Sequence, residues 1–97
     1  MHARIALYKV KPGSADLVTQ KARTGMLPIF QQQPGYVSYA GVQTGADSVV
    51  SISSWDTAEQ ADRAVLSAAE WVKSNIAEHV VSVENHVGSV AFWERKP

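Results

Sequence analysis

Between Ala3 and Val10 apolar side chains fall on both faces of an extended chain: Ile5 and Leu7 with Lys9 on one, Ala6, Tyr8 and Val10 with Arg4 on the other. A strand with one solvated face reads as regularly polar on that face, so this pattern predicts a strand covered on both sides. Lys11-Pro12-Gly13 ends it. From about Ala15 towards Gln31 the period lengthens to that of a helix. Val18, Ala22, Gly25 and Ile29, with Met26 and Phe30 beside them, make an apolar stripe that packs on a sheet. Ser14 is placed to cap this helix, and Asp16 sets negative charge at the positive end of its dipole. Pro28 falls inside the pattern. It has no N–H, and its ring crowds the carbonyl of Thr24, so a kink or an early end near Gly25 is predicted.

The next signals are those of a hairpin, with strands at about Tyr36 to Gln43 and Ser48 to Trp55 and Thr44 to Asp47 as the loop. Tyr36, Val37, Tyr39, Val42, Val49, Val50 and Ile52 suit a half-buried pleated surface, Gly35 and Gly45 supply positive φ, and so short a connection requires antiparallel pairing. Asp56-Thr57-Ala58-Glu59 reads as a capping box with Asp56 at the cap. It opens a second helix on which Ala61, Ala64, Val65, Ala68 and Val72 share a face small enough to lie close to a sheet. That helix runs past Trp71, placing Trp71, Asn75, Glu78 and His79 on one face. From Val80 the chain alternates again in a long final strand, with a bend or bulge expected at Gly88. The order βαββαβ predicts an α+β, ferredoxin-like domain with an antiparallel sheet, one domain over residues 1–97. Strands apolar on both faces, and a last strand longer than one small domain needs, predict a homodimer through the sheet face and the C-terminal strand.

Composition narrows the functional classes. Nine Lys and Arg balance nine Asp and Glu, and no basic run exists beyond Arg95-Lys96, so nucleic acid is not an expected partner. There is no cysteine, hence no disulfide framework and no thiolate chemistry. No stretch approaches the ~20 apolar residues of a membrane span. A soluble cytoplasmic protein is the expectation. His2, His79 and His86 are dispersed, so no metal is expected, and the signatures of nucleophile elbows, phosphate loops and dinucleotide-binding turns are missing.

Lys11-Pro12-Gly13 after the first strand, Gln33-Pro34-Gly35-Tyr36 before the hairpin, Ser53-Ser54-Trp55-Asp56 at the second helix and Trp71 at its far end together resemble the antibiotic biosynthesis monooxygenase family of dimeric α/β barrels. The resemblance spans nearly the whole chain and rests on the order and spacing of these motifs. It implies a cofactor-independent oxygenase acting on a small aromatic, quinol or polyketide-like compound, although fold transfers better than reaction. The haem-degrading branch of that family uses an asparagine on the first strand, a tryptophan at the helix end and a histidine beyond it. Trp71 matches and His79 approximates the histidine, but the first strand offers Ala6 and Tyr8 where an asparagine is needed, which disfavours haem degradation. The opening Leu7-Tyr8-Lys9-Val10-Lys11-Pro12-Gly13 also resembles the stress-responsive α/β barrel family, which includes a polyketide cyclase.

The chemistry such a reaction needs is a base, hydrogen bonds to an oxyanion and a dry pocket. His79 is the candidate base because histidine titrates near neutrality. Asn75 and Tyr39 are candidate oxyanion donors, Trp71 an apolar wall, and Tyr8, Met26 and Phe30 further substrate contacts. No cofactor is expected. Each has a structural alternative: His79 as a solvated partner of the helix dipole, Met26 and Phe30 as core, Trp55 as a core anchor, and Phe92 with Trp93 as partner-chain contacts. The competing function is a non-catalytic dimer that binds a small apolar or aromatic ligand.

Overall fold

A computed structural model describes all residues, 1–97. Its elements are β1 (His2–Val10), α1 (Ala15–Lys21), a π-helical turn (Ala22–Met26), α2 (Leu27–Gln31), β2 (Tyr36–Gly45), β3 (Ser48–Trp55), α3 (Ala58–Asn75), a 3₁₀ turn (Ala77–His79) and β4 (Val80–Ser89). The strands form one antiparallel sheet in the order β2-β3-β1-β4, the ferredoxin-like arrangement expected from the sequence. All helices lie on one face. No helix is long and apolar enough to cross a membrane.

The core forms where that helical layer meets β1 and β3. Ala61, Ala64 and Ala68 of α3 are buried, and their small side chains let the helix approach the sheet closely. Beneath lies an aromatic cluster built on Trp55, fully buried, with Phe30 edge-on at 5.3 Å and Tyr36 at 5.8 Å. Phe30 in turn meets Tyr39 edge-on at 5.0 Å. Such pairs contribute about 0.5–1.5 kcal/mol each beyond simple burial. The Trp55 indole N–H donates to Ser53 Oγ at 3.0 Å, so the buried nitrogen is satisfied.

Several local features differ from the sequence expectation. The first helical segment does not stop at Gly25. It passes through the π turn, which absorbs the missing Pro28 N–H by widening the ring of backbone hydrogen bonds, and continues as α2 with Pro28 near its start. The extra residue in that turn rotates the stripe: Met26 and Phe30 are buried, whereas Ile29 is exposed. The cap of α3 is Thr57, whose hydroxyl accepts from Gln60 N at 3.2 Å while Gln60 Oε1 accepts from Thr57 N at 3.1 Å. Asp56 lies one residue outside, because Gln60 completes the reciprocal pair and Glu59 does not. The hairpin strands extend to a two-residue connection, and the glycines at positive φ are Gly13 and Gly35, not Gly45. Gly88 pairs regularly with Ala3, and the irregularity of that ladder falls instead at Lys9/Val10. Beyond Ser89 the chain leaves the sheet, tied by Val90 N to Met1 O at 3.0 Å.

Candidate active site

Strand register builds the site. On the helix-facing side of the sheet, Gly41 of β2 lies opposite Ser51 of β3, and Ser51 lies opposite Ala6 of β1. A row of small side chains therefore crosses three strands. The rows on either side are larger: Tyr39, Ser53 and Arg4 on one, Gln43, Val49 and Tyr8 on the other. Above the small row, between the π turn and the C-terminal half of α3, is a cavity of about 310 Å³. Val18, Met26, Val49, Trp71, Val72 and Ile76 supply most of its apolar lining. Its size sits at the small end of the ~300–1,000 Å³ typical of ligand pockets.

The π turn matters to this space. Gly25 packs against the indole of Trp71 so closely that a Cβ there would fall 2.8 Å from Trp71 Nε1. Absence of a side chain lets Trp71 seat as one wall, with 9% of its surface exposed. Such turns are frequent where a helix is reshaped around a site.

The polar side of the cavity is organised by Arg4. Its side chain runs along β1 over Ala6, which is small enough to leave the path open. It donates from Nη2 to Tyr8 Oη at 3.0 Å and from Nη1 to Ser51 Oγ at 3.2 Å. The guanidinium also lies 5.6 Å from the centre of the Phe30 ring, within cation–π range. Only 1% of Arg4 is exposed, its Nε–H has no partner, and none of the three ion pairs in the chain includes it. Because Tyr8 and Ser51 accept from Arg4, their own hydroxyl protons are free to point elsewhere, and acceptance from a cation strengthens them as donors. Tyr39 completes the group. Burial pushes its phenol above the usual tyrosine range, opposed by the Ser51 hydroxyl and by the charge of Arg4, so it stands as a protonated donor.

Of the residues expected at the site, Trp71, Tyr8, Tyr39 and Met26 line the cavity together. Phe30 lies beneath, in the core, beside Arg4. Asn75 and His79 are not brought in. The single helical face expected from Trp71 to His79 breaks because α3 ends at Asn75 and Ile76, not His79, turns into the cavity. Asn75 is exposed and donates from Nδ2 to the Trp71 carbonyl at 2.9 Å, closing the end of α3. His79 accepts through its backbone carbonyl from Lys11 N at 2.9 Å, with its ring 3.5 Å from Glu78. His86 pairs with Glu84 at 3.0 Å on the surface. Sequence reasoning passed over Arg4 as a site residue. Its signal was present: a lone cation on the strand face that otherwise carries Ala6, Tyr8 and Val10.

The sheet, its helical layer and the cavity beside Trp71 make a ferredoxin-like α+β domain with an aromatic-walled pocket. Residues 1–74 match the family model for antibiotic biosynthesis monooxygenase, and the chain belongs to that family. Its fold is similar to SnoaB, a cofactor-independent oxygenase from Streptomyces nogalater, with TM-score 0.68 and 19% identity over 98% of this chain and 97% of that one. It is also similar to the ActVA-Orf6 monooxygenase of Streptomyces coelicolor in complex with nanaomycin D, with TM-score 0.73 and 13% identity over 99% and 92% of the two chains. A protein of unknown function from Nitrosomonas europaea shares the fold with TM-score 0.80 and 14% identity over 99% and 94%. A search of curated proteins finds no match.

Proposed function

We propose that this protein is a cofactor-independent oxygenase that binds a small, electron-rich aromatic, quinol or polyketide-like compound in the cavity beside Trp71. The observation that carries the reading is the cavity itself: an apolar, aromatic-walled space with hydroxyl donors gathered at one end, in a chain of the monooxygenase family. An ionised phenol or enol is its own reductant. For an anthrone-type methylene the reaction R₂CH₂ + O₂ → R₂C=O + H₂O balances with all electrons drawn from the substrate. The protein then has to hold the oxyanion and exclude water. Tyr8, Tyr39 and Ser51 are placed to donate to the oxyanion, and Trp71, Met26 and Ile76 keep its ring dry. The phenolic proton leaves to solvent, so neither His79 nor Asn75 has a part inside the cavity.

The same proposal includes a homodimer. Its support is the uncovered sheet face, where Ile5 and Leu7 of β1 stand exposed beside Val50 and Ile52 of β3, together with Phe92 and Trp93 exposed beyond β4. A second copy offers the matching apolar surface.

One observation favours a second reading, a dimer that binds the ligand without chemistry: no Asp, Glu or His lines the cavity. Chelator-treated protein incubated with anthrones and hydroquinones under an oxygen electrode separates the two. Oxygenation predicts O₂ uptake matched one to one by product from anthrone, reduced at least about tenfold in Tyr8→Phe. Tight ligand binding without uptake across the panel establishes the binding-only role.

A further inference from the structure

Arg4 is an anomaly for a core residue. A buried cation without a counter-charge loses several kcal/mol of hydration, and proteins bury such groups when they are paired or when a ligand completes them. Here the protein supplies only neutral acceptors, Tyr8 Oη and Ser51 Oγ, and leaves Nε–H unsatisfied. The charges on the cavity wall all have one sign: Arg4 at its inner end and the exposed Arg23 on the π turn, with no carboxylate. A mostly apolar cavity whose charged lining residues are both arginines disfavours a cation and favours one negative charge.

We propose that the cavity takes its ligand as a monoanion, with the anionic oxygen against Arg4, Tyr8 and Ser51 and the ring system against Trp71 and Met26. This rests on the small-aromatic reading above and narrows it to ligands that are acids. The oxygen belongs to a carboxylate or to an ionised phenol or enol, chemistries that share a charge-assisted hydrogen bond to the guanidinium and its two hydroxyl neighbours. For a phenol the site also accounts for how ionisation proceeds without a base: Arg4 stabilises the anion, and the proton is released to solvent.

Calorimetric titration with 1-naphthoate, its neutral isostere 1-naphthamide, and 1-naphthol tests the proposal near neutral pH. The acid is expected to bind about tenfold or more tightly than the amide, and Arg4→Met, shown to be folded by its circular dichroism, is expected to bind the two alike. Tyr8→Phe should narrow the preference while leaving the fold unchanged. The naphthol arm distinguishes the sources of the oxygen. Proton release on binding, read from the dependence of heat on buffer, assigns an ionised phenol, and naphthoate binding without it assigns a carboxylate. Equal affinity for acid and amide in the wild type, or a preference that survives Arg4→Met, overturns the anionic assignment and leaves the small-aromatic reading standing. Binding of none of the three overturns both.

Discussion

On the helix-covered face of the sheet Arg4 and Ser51 are buried to 1% and 5% exposure, whereas on the uncovered face Ile5 and Leu7 stand 37% and 39% exposed. Arg4, Ile5 and Leu7 share β1, with Arg4 and Ile5 at successive positions, and Ser51 sits on the neighbouring β3, so the usual distribution of polarity is inverted between the two faces. A core built only for stability would put the branched apolar residues inward and the cation outward. The inversion is what the two proposals account for, a ligand on the inner face and a second copy on the outer one. The inner face gives up packing to hold a polar group at the end of a cavity. The outer face keeps apolar residues that a second sheet would cover.

The strongest way to break that comparison is to charge the outer face. Each buried Ile or Leu contributes about 1.5–3 kcal/mol, and an interface between two copies repeats every contact. Ile5→Asp with Leu7→Asp is therefore expected to weaken self-association at least about a hundredfold, converting a dimer to a monomer in sedimentation at micromolar concentration. The far-ultraviolet circular dichroism should stay that of the folded chain. A double variant that sediments as a dimer removes the outer face as the interface.

A smaller and opposite effect is expected inside. Replacing a buried cation that has no counter-charge by an apolar residue of similar length removes its desolvation cost. Arg4→Met should leave the urea midpoint unchanged or raised, even as it removes the anion preference of the cavity. A loss of more than about 1 kcal/mol would make Arg4 a structural strut through Tyr8, Ser51 and Phe30, and would end the contrast between the faces.

The sequence carried the architecture well because the signals for it are local. Alternation in β1, the small face of α3 and the short hairpin connection each depend on residues near one another, and together they specify a βαββαβ order with few topologies open to it. The cavity depends on register. Gly41, Ser51 and Ala6 are unremarkable until β2, β3 and β1 are aligned so that they form one row, and a one-residue slip would scatter them to opposite faces. Helical periodicity also misled near the C-terminal end of α3. Continuing its 3.6-residue repeat past Asn75 brings His79 under Trp71, but the helix stops there and a 3₁₀ turn redirects the chain. The π turn has the same character: one extra residue turns Ile29 out of a stripe in which Met26 and Phe30 stay buried, and only the missing N–H of Pro28 announced it. Arg4 was legible in principle, as the one charge on a strand face that the sequence marked as covered. What alternation cannot convey is that the charge stays buried and unpaired.

The finest test of the inner face concerns Tyr39. Its phenol is held above the usual tyrosine range mainly by burial, so the folded chain retains a proton that the unfolded chain gives up first. Above the ordinary tyrosine value the unfolded state binds fewer protons than the folded one, and stability falls with rising pH. The contribution is complete below that value and is lost as pH climbs through it towards the folded value. Tyr39→Phe removes the titration. Near neutrality the variant should be less stable by no more than about 1 kcal/mol, the typical worth of one hydroxyl's hydrogen bonding. As pH rises through the tyrosine range the wild type should lose stability faster, so that urea midpoints of the two proteins converge. Midpoints that stay parallel across that range would mean the Tyr39 hydroxyl is as well solvated folded as unfolded, and the polar end of the cavity would then be open to water.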